Sequence, residues 1–529
     1  MPSSIDRRTF LGSAGTLAAL AALGTDLKAQ EAAGLVFSEP RPFAFDALVA
    51  RAENLAKQAY VPPPKPSPEI TSQLNYDYHG QIRFKTDLSL WKDGPSRFPV
   101  TFFHLGQFFQ KRVVINVVEK GEAREILYRE RYFDMPPDNP ARVLPDGAGF
   151  AGFRFQEPSD GALDWQRNDW VAFLGASYFR SIGELFQYGL SARGIVVNSA
   201  NPNPPFNEEF PDFVEFWLEP VADPSNQVRV YALLDGPSIT GAYSFLMTRD
   251  KAVVMDIDAR LFTRNDIYRL GLAPLTSMYW YSESRKTTAI DWRPEIHDSD
   301  GLAIWTGAGE RIWRPLNNPP QTMVSTFVDT DPKGFGLSQR DRAFDNYLDG
   351  VHYERRPTLW VEPLEPFGEG AVQLIEIPTD DEIHDNIVAI WRPKEPVVAG
   401  QSFKLNYRLH WAADEPVPNP LARCVATRLG NGGQPGTTRP KGVRKFVVEF
   451  LGGTLADLPF GVKPEAVLTA SRGTFSYVFT EAVPNDVPGH WRAQFDLTVE
   501  GSEPVELRCY LRLDGKALTE TWLYQYHPF

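Results

Sequence analysis

Beyond residue 60 of this 529-residue chain the dominant spacing of apolar residues is two, the period of a β-strand that turns one face to a core. Phe403, Leu405, Tyr407, Leu409 and Trp411 alternate with Lys404, Asn406, Arg408 and His410, which predicts a half-buried strand near a domain edge. The same reading predicts strands over 81–91, 113–118 and 228–234, separated by segments dense in Pro, Gly, Asp and Asn. One helix is expected, over 45–60, where Leu48, Ala52, Leu55 and Ala59 recur at helical spacing behind Asp46 and the run stops at Val61-Pro62-Pro63-Pro64. The chain is therefore expected to be all-β.

A chain of this length exceeds one ordinary core, so at least two domains are expected. The boundary is placed after Trp411, because Pro416, Pro418 and Pro420 within 412–420 cannot continue a ladder. Past it, strands are expected over 445–451, 475–479, 491–499, 505–513 and 517–526, the last two joined by a turn at Asp514-Gly515. Short strands at that spacing suggest an immunoglobulin-like sandwich over 421–529. No internal repeat is evident, and compositional bias is limited to 61–67 and 430–440.

Arg7-Arg8 directly precede a weakly apolar run over 11–23, too short to span a bilayer, and Leu27-Lys28-Ala29 follows as a cleavage point. Residues 1–29 thus read as a twin-arginine export signal, and the mature chain is expected to begin near Gln30 in an oxidising compartment. No other stretch resembles a membrane span. The net charge of −13 argues against nucleic acid or an anionic membrane as partner and favours a neutral or cationic one. Thirteen Trp, nineteen Tyr and thirty-five Phe provide faces for sugar rings, although most belong to β cores. Cys424 and Cys509 are the only cysteines and the eight His show no metal-ligand spacing, so no metal and no cofactor are expected. Those cysteines form either one disulfide or two buried thiols.

Carboxylates alternate with aromatics most densely between Asp291 and Trp391. Three clusters stand out: 292–301 with Trp292, Arg293, Glu295, His297, Asp298 and Asp300, followed by Trp305 and Trp313; 353–357 with Tyr353, Arg355 and Arg356, followed by Trp360; and 376–386 with Glu382 and Asp385, followed by Trp391. Together they look like a carbohydrate site on loops. Cleaving a sugar bond takes one protonated carboxyl and one carboxylate, and this region supplies more than two. Taken singly, each acid is also an ordinary loop residue, and Asp298-Ser299-Asp300-Gly301 is ordinary turn chemistry. Nucleophile-elbow, phosphate-loop and dinucleotide fingerprints are absent.

Residues 173–180 (Phe-Leu-Gly-Ala-Ser-Tyr-Phe-Arg), 188–194 (Tyr-Gly-Leu-Ser-Ala-Arg-Gly), 293–301 (Arg-Pro-Glu-Ile-His-Asp-Ser-Asp-Gly), 353–357 (Tyr-Glu-Arg-Arg-Pro) and 376–379 (Glu-Ile-Pro-Thr) with 385–388 (Asp-Asn-Ile-Val) resemble the osmoregulated periplasmic glucan biosynthesis G/D family. The resemblance covers nearly the whole mature chain, and the twin-arginine signal is similar to that of the D type. It implies a β-supersandwich like that of the galactose mutarotases over 30–411, a linker over 412–420, and the immunoglobulin-like sandwich over 421–529. It also implies periplasmic work on β-1,2-glucan by inverting hydrolysis or transglycosylation. Carried over by residue, it implies Asp385 as general acid supported by Glu382, Asp300 or Asp298 as base, and Tyr353 as a proton relay. Around them Trp292, Arg293, Glu295, His297, Trp305, Trp313, Arg355, Arg356, Trp360 and Trp391 are expected to bind the glucan. The general acid is expected to have a raised pKa through burial or carboxylate neighbours. The rival reading is a non-catalytic glucan-binding scaffold for an inner-membrane glucan synthase, and a third is a mutarotase acting on a free sugar. Oligomeric state is left open.

Overall fold

The computed structural model describes residues 34–201, 206–221, 226–284, 286, 290–459 and 461–529. The expected export signal, 1–29, lies outside the described residues. The chain is nearly all β and divides into two compact units, one ending at Pro274 and taking back Ile390–Trp411, the other comprising Leu275–Ala389 and Ala412–Phe529. Among the described residues no helix is long and apolar enough to cross a membrane.

In the first unit the helix Phe45–Ala56 lays Leu48 and Ala52 against Trp217, Leu233 and Ala242. It is four residues shorter than its apolar spacing predicts. Lys57 and Gln58 bond back only three residues, and the Arg264 guanidinium takes the carbonyls of Leu55 and Gln58 at 2.8 Å each, satisfying the terminus before the prolines. Beside the helix, Asp212–Pro220 runs parallel to Val114–Glu119 and antiparallel to Gln227–Asp235, and the ladder continues through Ile239–Arg249, Val253–Thr263 and Ser402–Ala412. Val100–Phe103, Gly152–Gln156, Asp169–Leu174, Tyr178–Ser181 and Ser191–Arg193 form an antiparallel series. Phe153, Phe173 and Phe179 of this series meet Phe216 and Phe245 of the ladder at ring centroids 5.0 to 5.6 Å apart, mostly edge to face.

The strand expected over 81–91 is not formed. Arg83–Phe84 pair with Phe133–Asp134 and Leu90 makes an isolated antiparallel bridge to Val100, but between them Thr86–Leu88 make a 3-10 turn, and Trp91 takes a left-handed φ of 61°. Ser89, Leu90 and Trp91 are all buried in succession, so the apolar residues there report burial without a continuous strand.

The second unit is built on Gly301–Trp305, which pairs on one side with Arg311–Pro315 and on the other with Gly334–Ser338, itself paired with Thr358–Pro363. Thr521 and Trp522 join this meander parallel to Ile312 and Trp313, and the sheet continues through Val505–Leu513 to Glu465–Ala470. A second sheet runs Arg423–Asn431, Val443–Leu451, His490–Thr498, Thr474–Ala482. Phe446 and Phe495 from it, stacked at 5.3 Å, pack with Trp522, Tyr524, Trp313 and Trp360 in one core. The Asp514-Gly515 turn forms with both residues at positive φ (49° and 78°), as a tight hairpin of the primed kind needs. The returning strand is interrupted, pairing at Lys516–Ala517 and again from Thr521. Cys424 and Cys509 are buried free thiols in this core.

One unit boundary falls at Trp411, but 275–389, expected within a module over 30–411, group with the C-terminal segment. The grouping of 275–389 with the C-terminal segment is not visible in the sequence, because a strand pairing between residues two hundred positions apart leaves no local mark.

Candidate functional site

Every charged residue of the three sequence clusters lies in the second unit. Asp300 closes the loop before Gly301–Trp305, and Gly301 is required there: a Cβ would stand 2.5 Å from the Trp313 indole. That indole carries the Arg340 guanidinium on its face at 3.6 Å. Arg340, buried, is neutralised by Glu520 and, at 2.6 Å, by Glu415. With the side chain so anchored, the backbone N–H groups of Arg340 and Asp341 both donate to Asp300 Oδ2, the latter at 2.6 Å. The other oxygen, Oδ1, lies 3.5 Å from His297 Nε2. Asp300 is thus aimed by two backbone donors and a ring. Burial raises its pKa above the ordinary carboxylate range, with the neighbouring His297 and the two N–H donors pulling the other way.

His297 is fully buried, as is Ser299, and Asp298 is almost so. Asp298 faces Arg356 at 3.4 Å inside the protein. Of the two aspartates proposed as base, only Asp300 lines a cleft. That cleft, of about 220 Å3, is bounded by Glu283, Glu295, Asp300, Asp341, Arg340 and Arg428, with Trp313 and Cys424 on its walls. Glu283 accepts from the Thr427 N–H at 2.9 Å and lies 3.3 Å from Arg428, and burial outweighs that cation to push its pKa up to about 7.

A second charged group surrounds Arg293. Its guanidinium meets Asp291 at 2.9 Å, Asp349 at 2.6 Å and Glu382 at 2.9 Å. Burial alone would lower the Arg293 pKa, but the three carboxylates outweigh it and raise it. Their reciprocal effect holds Asp291 below the usual carboxylate range, chiefly through the hydrogen bond from Arg293. The Tyr353 hydroxyl donates to Glu382 Oε2, so the tyrosine and the acid expected beside Asp385 are in direct contact. Tyr353 is buried and its neighbour His352 takes a left-handed φ of 58° to place it.

Between these groups lies Gln339. Its Nε2 donates to the Tyr347 hydroxyl at 2.8 Å, the Tyr353 carbonyl at 3.1 Å and the His297 carbonyl at 3.3 Å, and its Oε1 faces His297 Nδ1 at 3.0 Å. Gln339 thus ties the Asp300–His297 pair to the backbone of Tyr353, whose side chain reaches from there to Glu382 and so to the Arg293 group.

The loop carrying Asp385 is pinned at its base by Asn386, whose side chain accepts from Tyr279 N at 2.8 Å and donates to the carbonyls of Tyr279 and Ile377 at 2.9 Å each. Asn318 holds Thr379 from both sides. Asp385 itself is exposed, so the burial expected of a general acid is not present at this position. Glu376, at the start of the same motif, is fully buried on Arg314 at 3.0 Å and on the Asn317 N–H at 2.6 Å, a structural pairing.

The expected aromatic lining is dispersed. Trp292 is 68 % exposed with Arg293 beneath it at 5.8 Å, and Trp305 is half-buried under Arg311 at 3.7 Å. Trp360 and Trp391 are fully buried, leaving no ring face open, and Trp391 belongs to the first unit. Arg355 is largely exposed beside Glu354, whereas Arg356 is internal. Among residues the sequence did not single out, Glu283, Gln339, Arg340, Asp341, Tyr347 and Asp349 all belong to the cleft or its supporting network. The only local signal was the charge density of Gln339-Arg340-Asp341-Arg342, which equally describes a solvated turn.

The second unit thus presents a cleft lined by several carboxylates whose positions are fixed by hydrogen bonds. Comparison with known families is specific: the model described as periplasmic glucan biosynthesis protein, MdoG, matches residues 43–526, and the chain belongs to that family. It is 65% identical over 529 residues to glucans biosynthesis protein D 2 of Ralstonia nicotianae, covering 99% of this chain and 98% of that one. Glucans biosynthesis protein D of Xanthomonas campestris is 47% identical over 536 residues (99% and 98%), and that of Stenotrophomonas maltophilia 47% over 494 residues (93% and 91%).

Proposed function

We propose that this chain is an exported periplasmic protein of glucan biosynthesis that cuts the β-1,2-glucose backbone with inversion, passing the chain to water or to a sugar hydroxyl. The observation that carries the reading is Asp300, a cleft carboxylate oriented by two backbone N–H groups. Family membership and the names of the relatives support the pathway, and the residues of 293–301, 353–357 and 376–388 support the chemistry. In this reading Asp300 acts as base. Asp298 is set aside because its partner Arg356 holds it inside the protein. Asp385 acts as acid, and Tyr353 bonded to Glu382 relays the proton. Asp385 is exposed and so open to a bound glucan, which would cover it and expel its water.

The twin-arginine signal over 1–29, a mutarotase-like module over 30–411, a linker over 412–420 and an immunoglobulin-like module over 421–529 are part of the same proposal. So is passage of the glucan from an inner-membrane synthase.

The test is incubation of the purified mature protein and its Asp385→Asn variant with linear β-1,2-glucan, reading products by chromatography and mass. Shortened or cyclised products from the wild type alone support the enzyme, and their masses separate hydrolysis from transfer. Binding without any product from either protein replaces it with the scaffold reading.

A further inference from the structure

We propose that His297 is a buried imidazolium, charged at neutral pH, whose task is to keep Asp300 ionised and aimed, a positioning residue that never touches the glucan. The inference rests on the reading of Asp300 as base and extends it inward by one residue.

The argument is one of hydrogen-bond polarity. Gln339 Nε2 faces the carbonyl oxygens of Tyr353 and His297, which only accept, so the amide nitrogen must occupy that side. Gln339 Oε1 is thereby turned to His297 Nδ1 at 3.0 Å, and Nδ1 must carry a proton to donate. On the opposite side of the ring Nε2 lies 3.0 Å from Glu295 Oε2 and 3.5 Å from Asp300 Oδ1, two carboxylates that only accept when ionised. Between two crowded carboxylates the shared proton is placed on Nε2, since one cation facing two anions offsets the charge of both, whereas a proton on either acid would leave the other unpaired. A histidine that donates from both nitrogens is the cation.

The remaining surroundings agree. Tyr279 stacks on the ring at 5.6 Å and Tyr347 meets it edge-on at 5.3 Å, closing both to water. Asp341, on the loop after Gly334–Ser338, adds a third negative charge, and Arg342 is the cation that acts on Asp300 and Asp341 from that same loop. Burial by itself would lower the His297 pKa, but Asp300, Glu295 and Asp341 outweigh it and bring it up to about 9. Burial raises Asp300 and Glu295 in turn, and the imidazolium is the principal group opposing that rise in each. Without it, Asp300 would hold its proton into the range where a base must be free.

Two measurements decide the matter. In the wild type, with 15N-labelled histidine, the His297 ring is expected to remain doubly protonated through pH 8, and loss of the proton below pH 7 would overturn the proposal without any variant having to fold. In His297→Gln, the acid limb of the kcat/KM profile on β-1,2-glucan is expected to move up by about one pH unit or more with KM unchanged. A merely structural role would lower the rate equally at every pH, and an acid limb that stays in place refutes the proposal. Should the wild type show no turnover, the reading of function fails on its own, and the 13C-carboxyl titration of Asp300, assigned by its loss in Asp300→Asn, still separates a raised pKa in His297→Gln from an unmoved one.

Discussion

The interiors of the two units are filled differently. The first unit packs Phe153, Phe173, Phe179, Phe216 and Phe245 into one aromatic cluster. The second has its own aromatic core and, where the first buries Arg249 on Glu157 and Arg264 on Asp235, gathers more ionic groups inside: Arg293 with three carboxylates, His297 with Glu295 and Asp300, Arg340 with Glu415 and Glu520, Arg314 with Glu376, and Arg356 with Asp298. Apolar packing holds a shape with little directional demand, whereas each buried charge needs its partners at fixed positions and destabilises the fold if one is removed. The second unit is thus the richer in preorganised charge, and the cleft lined by Asp300 lies in it.

The largest effect that would sharpen this contrast is expected at Asp300. Asp300→Asn should lower turnover of β-1,2-glucan by about 100- to 10,000-fold while glucan binding measured by calorimetry persists. Retained turnover would remove the second unit's claim to the chemistry. Arg340→Ala, which leaves Glu415 and Glu520 buried without their cation, should cost about 3–5 kcal/mol in denaturant unfolding. Because Arg340 also anchors the backbone donors to Asp300, turnover should fall with it. Phe173→Leu in the first unit should cost only about 1.5 kcal/mol or less by the same measurement, with kcat unchanged. A large loss of kcat from that variant would break the separation of roles.

The smallest expected effect is the pH dependence of stability. His297 has a folded pKa above its unfolded one, so the stability it contributes is fully present below about pH 6.5 and is lost as pH rises through about 9. Asp300 and Glu295, also raised in the folded state, act with the same sign at lower pH. Melting temperature should therefore fall between pH 6.5 and 9 in the wild type and fall less in His297→Gln. An equal fall in both would place the titrating group elsewhere.

Much of the scaffold was legible in the chain. Alternation over 403–411 became Ser402–Ala412 with its inward residues buried, and Asp514-Gly515 became a hairpin turn, because both signals depend only on residues adjacent in sequence. The strand over 81–91 failed for the complementary reason: apolar alternation records which side chains are buried, and a 3-10 turn at Thr86–Leu88 buries its flanks equally well. At the site, Glu382, Tyr353 and Arg293 were singled out, and Tyr353 and Arg293 are both found bonded to Glu382. Trp360 and Trp391 were singled out by their place in an acid-rich segment, yet each sits on the inward face of a strand.

The sequence by itself determined the all-β class, the family and the acidic segments that matter, since local period, turn chemistry and long motifs are written residue by residue. Only the tertiary structure decided that Asp300 rather than Asp298 faces a cleft, that Gln339 and Arg340 support it, and that the strand at Thr521–Tyr526 completes the sheet beneath. Those assignments depend on hydrogen bonds and burial between residues far apart in the chain, and the charge and orientation of a buried group are properties of its surroundings rather than of its type.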